Sequence, residues 1–179
     1  MLQWLKTRSN RTTTARQLYG SSVAAALNPV LFRDWQVADS FEGRFEMVML
    51  HVGLLVRRLT AEGPGGKALG QSVLEEMVAA LDDDMRELGV SDLRVPKKVQ
   101  AAASAFYGRL RVYDEALKSG DPADLPAALS RNVPACELGP VAAEPLALYV
   151  RAVASRLDTQ SGEALTVGTV TFPAPGANA

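Results

Sequence analysis

Residues 41 to 59 read FEGRFEMVMLHVGLLVRRL, and no other stretch limits the fold as strongly. Phe41, Phe45, Val48, Val52, Leu55 and Leu59 recur at helical spacing and form one continuous seam. Met47, Met49, Leu54 and Val56 widen that seam on both sides. A helix apolar over so much of its circumference must be wrapped by neighbours. The spacing therefore predicts a central helix over 40–61, opened by Asp39 and Glu42 and contacted from several directions. It is not a membrane span, because Arg44, Glu46, Arg57 and Arg58 interrupt it, and a span needs roughly twenty uninterrupted apolar residues.

Elsewhere apolar positions also recur at spacings of three and four, with almost no strand-like alternation. At 179 residues this predicts an all-α, single-domain helical bundle. Thr14 and Gln17 form a capping box for a first helix from 14 to about 28, stopped by Pro29. A linking stretch with Leu31, Phe32 and Trp35 follows. Gly63, Pro64, Gly65 and Gly66 predict a turn before a helix over 68–88, which Gly89 ends in a left-handed cap. Pro96 opens a helix over 96–118 with Val99, Ala103, Phe106, Leu110, Tyr113 and Leu117 as its seam. Gly108 costs that helix up to about 1 kcal/mol against alanine, which predicts a closely packed neighbour there. Shorter helices are predicted over 122–132 and 142–158, the latter with Leu146, Tyr149, Val150, Val153 and Leu157 inward. The β-branched run LTVGTVTF at 165–172 predicts a short extended C-terminal tail, with a disordered end after it. The organisation is thus a leader over 1–12, a helical domain over 13–160 and a tail over 161–179.

A formal net charge of -1 argues against specific nucleic-acid binding, for which a strongly basic domain is expected. The charge is unevenly placed. Lys6, Arg8, Arg11 and Arg16 precede the first acid, Asp34. Together with Leu2, Trp4 and Leu5, the cations Lys6, Arg8 and Arg11 have the composition of a segment that adheres to an anionic membrane surface, although a frayed terminus has the same composition. MLQWL is too short an apolar run for a secretory signal. The lone Cys136 allows neither an intramolecular disulfide nor a thiolate metal cage, which fits a reducing compartment.

Three motifs invite a chemical reading. GPGGKALG at 63–70 fails as a phosphate loop: the first glycine of the pattern falls on Ala61, the hydroxyl position is Ala68, and a helix precedes it. Asp83, Asp84 and Glu87 spell DDxxE, a magnesium and diphosphate pattern, but Asp83 and Glu87 point away from the apolar seam toward water, and no second acidic cluster completes a metal site. The single histidine, His51, stands in one stripe with Arg44 and Arg58, beside apolar residues on both sides. Such a histidine must be hydrogen-bonded, most simply to a carboxylate or carbonyl of an adjacent helix, with Asp114 or another acid as the favoured partner. A structural or interface role for His51 is favoured over haem ligation or general-base catalysis. No catalytic residue, cofactor, metal or small-molecule substrate is assigned; a haem- or diphosphate-binding protein and a generic helical interaction module are the competing classes.

Four stretches together are similar to the ubiquinol-cytochrome c chaperone family, the assembly factors for cytochrome b of the respiratory bc1 complex. They are FEGRFEMVMLHVGLLVRRL at 41–59, LEEMVAALDDDMRELGV at 74–90, VPKKVQAAASAFYGRLRVYDEAL at 95–117 and ALSRNV at 128–133. The resemblance covers about 15–160 and implies an all-α fold, no catalysis, and cytochrome b as client at the membrane. Mitochondrial members of the family work with a small partner subunit and at the ribosomal exit tunnel, so a ribosome contact belongs to what the resemblance implies. The alanine-rich chain with its short leader looks like a bacterial member, cytoplasmic and peripheral to the inner membrane.

Motif positions matched are His51, Arg57, Arg58, Gly89, Tyr107, Gly108, Tyr113, Asp114, Arg131 and Asn132. From them and the seam, the candidate client or partner residues are Met47, His51, Arg58, Tyr107, Arg109, Tyr113, Asp114, Arg131 and Asn132. Met47, Met49, Met77 and Met85 suit an adaptable groove, and Arg58, Arg109, Arg111 and Arg131 suit its rim.

Overall fold

The computed structural model describes residues 2–35, 37–133 and 143–176, and of residues 2–9 the backbone alone. Eight helices and no strand occur among the described residues. They are α1 (Leu2–Ala26), α2 (Pro29–Arg33), α3 (Phe41–Ala61), α4 (Gly63–Glu87), α5 (Val95–Lys118), α6 (Asp124–Asn132), α7 (Glu144–Asp158) and α8 (Gly162–Thr166). The fold is all-α.

α3 is the hub, touching α1, α4, α5 and α7. Every residue from Glu46 to Val56 is buried, which a helix covered on one side only could not achieve. Ser40 caps α3, its hydroxyl accepting from Gly43 N–H at 3.2 Å. Asp39, expected in that role, instead receives the Arg44 guanidinium at 2.6 Å. The hydroxyl is the better cap here because it sits one residue closer to the first turn.

Three element boundaries differ from the sequence reading. α1 has no start at Thr14 and runs from Leu2. Residues 2–13 contain neither Gly nor Pro, so a helix pinned by the buried line Ala15, Leu18, Ser22 and Ala26 propagates through them. The predicted glycine turn at 63–66 is the first turn of α4, and Glu62 alone separates α3 from α4. Gly63 takes φ +80, and a Cβ on Gly66 would stand 2.0 Å from the Leu59 carbonyl oxygen. Glycine thus permits a junction tighter than a loop. Finally, LTVGTVTF is not wholly extended, because Ser161 caps the one-turn α8 by accepting from Ala164 N–H at 3.2 Å. After α8 the chain continues without regular structure to Gly176, with Pro175 buried.

The expected end of α4 and the inward face of α7 hold. Gly89 (φ +78) ends α4 with Val90 N–H on Met85 O at 3.0 Å and Gly89 N–H on Arg86 O at 2.9 Å, the paired bonds of a Schellman cap. Leu146, Tyr149, Val150, Val153 and Leu157 of α7 all face inward. Gly108 does not have its predicted neighbour, since a Cβ there would meet nothing within 4 Å. The glycine that admits α5 is Gly53, where a Cβ would lie 3.1 Å from Leu110 Cδ1.

Candidate partner-binding site

The interior of α3 holds the polar groups that the sequence left unpartnered. His51 is fully buried. Its Nδ1 lies 2.7 Å from Met47 O and its Nε2 2.9 Å from Tyr149 Oη. A carbonyl oxygen can only accept, so Nδ1 carries the proton and Nε2 accepts from the Tyr149 hydroxyl. Phe172 of the tail packs on the imidazole at 5.7 Å between ring centres. The expected carboxylate partner is therefore corrected to a phenol: Asp114 instead accepts from Arg57 at 3.0 Å and Lys118 at 2.5 Å. Burial pushes His51 down to about 4, the Met47 hydrogen bond working against it, and burial raises the Tyr149 phenol. Both groups are neutral at physiological pH.

Two further polar links tie the helices together. Glu46 of α3 receives Arg109 of α5, and burial holds the Glu46 carboxyl up at about 7 although the guanidinium pulls it down. Arg58 reaches the end of α7, donating to Leu157 O at 3.0 Å and Gln160 O at 2.6 Å, with Glu62 on its third nitrogen at 2.5 Å. A cation at those carbonyls also suits the negative end of α7.

Met47, His51 and Arg58, candidates for client contact from sequence, are thus interior, and in this conformation a partner cannot reach them. Met49 and Met77 are buried as well, Met77 beneath an open trough beside Tyr107, and Met85 is partly exposed. Tyr113 is buried, and Asn132 is half-buried with its amide on Ala128 O at 2.8 Å. Arg109 and Asp114 are half-buried and ion-paired. Arg131 is exposed on α6, and Tyr107 is 55% exposed on α5. Arg11 is exposed on α1, while the side chains of Leu2, Trp4, Leu5, Lys6 and Arg8 lie outside the described residues, as does Cys136.

Tyr107 is the residue that organises the surface. On one side of it α4 and α5 splay apart around an open trough of about 540 Å³ floored by Leu74, Met77, Val78 and Phe106. On the other side a depression of about 550 Å³ lies over α3 and α5, apolar at Val56 and Leu110 and charged at Arg57, Arg111, Lys118 and Asp158. Of the α4 side of this surface the sequence pointed only to Met77; Leu74 and Val78 read as core, and nothing local shows that α5 covers them incompletely.

A helical bundle that leaves two apolar, charge-rimmed depressions open along one helix has the kind of surface that marks an interaction domain. The chain belongs to the ubiquinol-cytochrome C chaperone family, whose model matches residues 33–172. The mouse ubiquinol-cytochrome c reductase complex assembly factor 1 is 31% identical over 153 residues, covering 84% of this chain and 51% of that protein. The Drosophila melanogaster protein of the same name is 32% identical over 160 residues, covering 86% and 61%. The chain thus spans about half the length of the mouse relative. The crystal structure of the Cbp3 homolog from Brucella abortus superposes with a TM-score of 0.85 at 34% identity, covering 99% of both chains. Among the described residues, no helix is long and apolar enough to cross a membrane.

Proposed function

We propose that the chain is a bacterial, non-enzymatic chaperone that binds newly made cytochrome b and holds it for assembly into ubiquinol-cytochrome c reductase. Family membership and the assembly-factor names of its relatives support the assignment. The observation that carries it is the open apolar surface on both sides of Tyr107. A chaperone for a membrane protein must show apolar surface to its client without aggregating, and charged rims around shallow depressions meet both demands. Work at the cytoplasmic face of the inner membrane follows from the client, and the basic start of α1 (Leu2, Trp4, Leu5, Lys6, Arg8 and Arg11) supplies peripheral attachment to anionic lipid.

The test is photo-crosslinking in the native cell from probes at positions 107 and 131, with position 148 on α7 as an exposed control. Cytochrome b captured from 107 in preference to 148 supports the reading. Capture of a soluble protein in its place, with no cytochrome b from any probe, moves the chain to the class of generic interaction modules.

A further inference from the structure

The trough between α4 and α5 has a one-sided charge. Its apolar floor is bordered by Glu75 toward one end and by Asp82 and Asp83 toward the other, and no Lys or Arg lines it among the described residues. Asp82 is already engaged by Arg86 at 2.6 Å. Asp83 has no ion-pair partner among the described residues, and Glu75 receives only the Gln71 amide at 3.3 Å. An apolar floor between two separated acids is complementary to one kind of ligand. We infer that this trough binds a cationic amphipathic helix, whose apolar stripe lies on Leu74, Val78 and Phe106 while two Lys or Arg residues meet Glu75 and Asp83.

The spacing of the acids sets the register. Glu75 and Asp83 lie on one helix, about 12 Å apart along its axis at 1.5 Å per residue. A partner helix lying along α4 presents matching cations about seven or eight positions apart, with three or four apolar residues on the same face between them. The inference rests on the chaperone reading in one respect: cytoplasmic segments next to membrane spans carry an excess of Lys and Arg, so a membrane-protein client supplies such helices. Tyr107, at the edge of the trough, covers the apolar stripe from the solvent side.

The test uses the full chain and fluorescence polarisation of labelled fourteen-residue peptides, a design length. One has an apolar stripe flanked by lysines seven apart, a second has glutamates in their place, and a third keeps the lysines but has serines in the stripe. Binding of the first alone, at least about tenfold weaker in a Glu75→Lys/Asp83→Lys chain at low salt, is the expected result. Both positions lie in ordinary helix surface, and an unchanged melting curve shows that the fold survives. Ala79→Trp, a plug in the exposed edge of the trough, is expected to abolish binding regardless of salt. Equal binding of the glutamate peptide, or undiminished binding by the charge-reversed chain, overturns the proposal. So does dimerisation of the chain that the same charge reversal abolishes, because the trough then holds a second copy.

Cytochrome b capture separates this inference from the function. Capture at position 107 that persists undiminished in the charge-reversed chain overturns the trough assignment and leaves the chaperone reading standing. Peptide binding in the expected order by a chain that captures no cytochrome b sinks the chaperone reading and supports the trough.

Discussion

His51 and Glu46, five residues apart on α3, titrate in opposite senses. The folded imidazole gains its proton at about 4, against about 6.5 when unfolded. Its contribution to stability is present above 6.5 and is lost as pH falls toward 4. The folded Glu46 carboxyl keeps its proton up to about 7, against about 4.5 when unfolded, so its contribution is present below 4.5 and lost as pH rises through 7. Between about 5 and 6.5 the folded chain holds the glutamate proton and the unfolded chain the histidine proton, so the two slopes cancel. Replacing Glu46 by Gln removes the compensation. Stability relative to wild type is then expected to fall by about 1.4 kcal/mol for each pH unit lost over that window, as read by urea unfolding at successive pH values. Exchanging Tyr149 for Phe deprives buried Nε2 of its donor and is expected to cost about 1 to 3 kcal/mol; His51→Ala costs at least as much, because a cavity is added to the unpaired phenol. A coupling energy near zero in the double mutant would show that the His51–Tyr149 bond contributes nothing.

At the scale of elements, two glycines that look alike in sequence have opposite consequences. Gly66→Ala drives a methyl group against the Leu59 carbonyl, a backbone atom that cannot rotate away, and is expected to lower stability by about 1 to 3 kcal/mol. Gly108→Ala meets open space on an exposed helix and is expected to raise stability by about 0.5 to 1 kcal/mol. Thermal melts of the two variants, moving in opposite directions, check both. Arg58 joins elements distant in sequence. Arg58→Met removes the charged donor from the Leu157 and Gln160 carbonyls, of which Leu157 O keeps the Gln160 N–H at 3.1 Å, and the expected loss is about 1 to 3 kcal/mol, with hydrogen exchange accelerating first at the end of α7. Uniform acceleration across the chain would mean that Arg58 does not anchor α7 in particular.

For the whole molecule, division of labour follows from α3. It uses most of its apolar circumference in binding α1, α4, α5 and α7, and keeps open only the edge at Val56 and Arg57 that lines the depression shared with α5. Under the proposed function, partner contact falls to α5, which packs on α3 and α4 while leaving Tyr107 exposed between two depressions. Substituting Tyr107 by Ser is therefore expected to leave the melting temperature within about 2 °C of wild type, because the side chain is exposed, while cytochrome b capture drops several-fold. A melting temperature that falls while capture per folded molecule stays constant would place Tyr107 among structural residues.

Helix type and period were legible from the sequence, because the 3.6-residue repeat is a local property: α3, α5 and α7 follow from it, as does the buried face of α7, whereas Phe41 at the head of the α3 seam is exposed and only Phe106 and Tyr113 of the α5 seam are buried. The Schellman cap at Gly89 was legible for the same reason. The family was carried by four short stretches in fixed order, a pattern also confined to the chain. The start of α1 was misjudged because a capping box marks a helix end only where something stops the helix before it. Partner choice across space was beyond reach. His51 finds Tyr149 ninety-eight residues away, and Asp114 is taken by Arg57 and Lys118, because pairing depends on which faces of α3, α5 and α7 meet. Nor does any local pattern separate a leucine fully covered by a neighbouring helix from one flooring an open trough. Periodicity says which residues leave water, whereas only the packing of α5 against α4 decides how completely they do so.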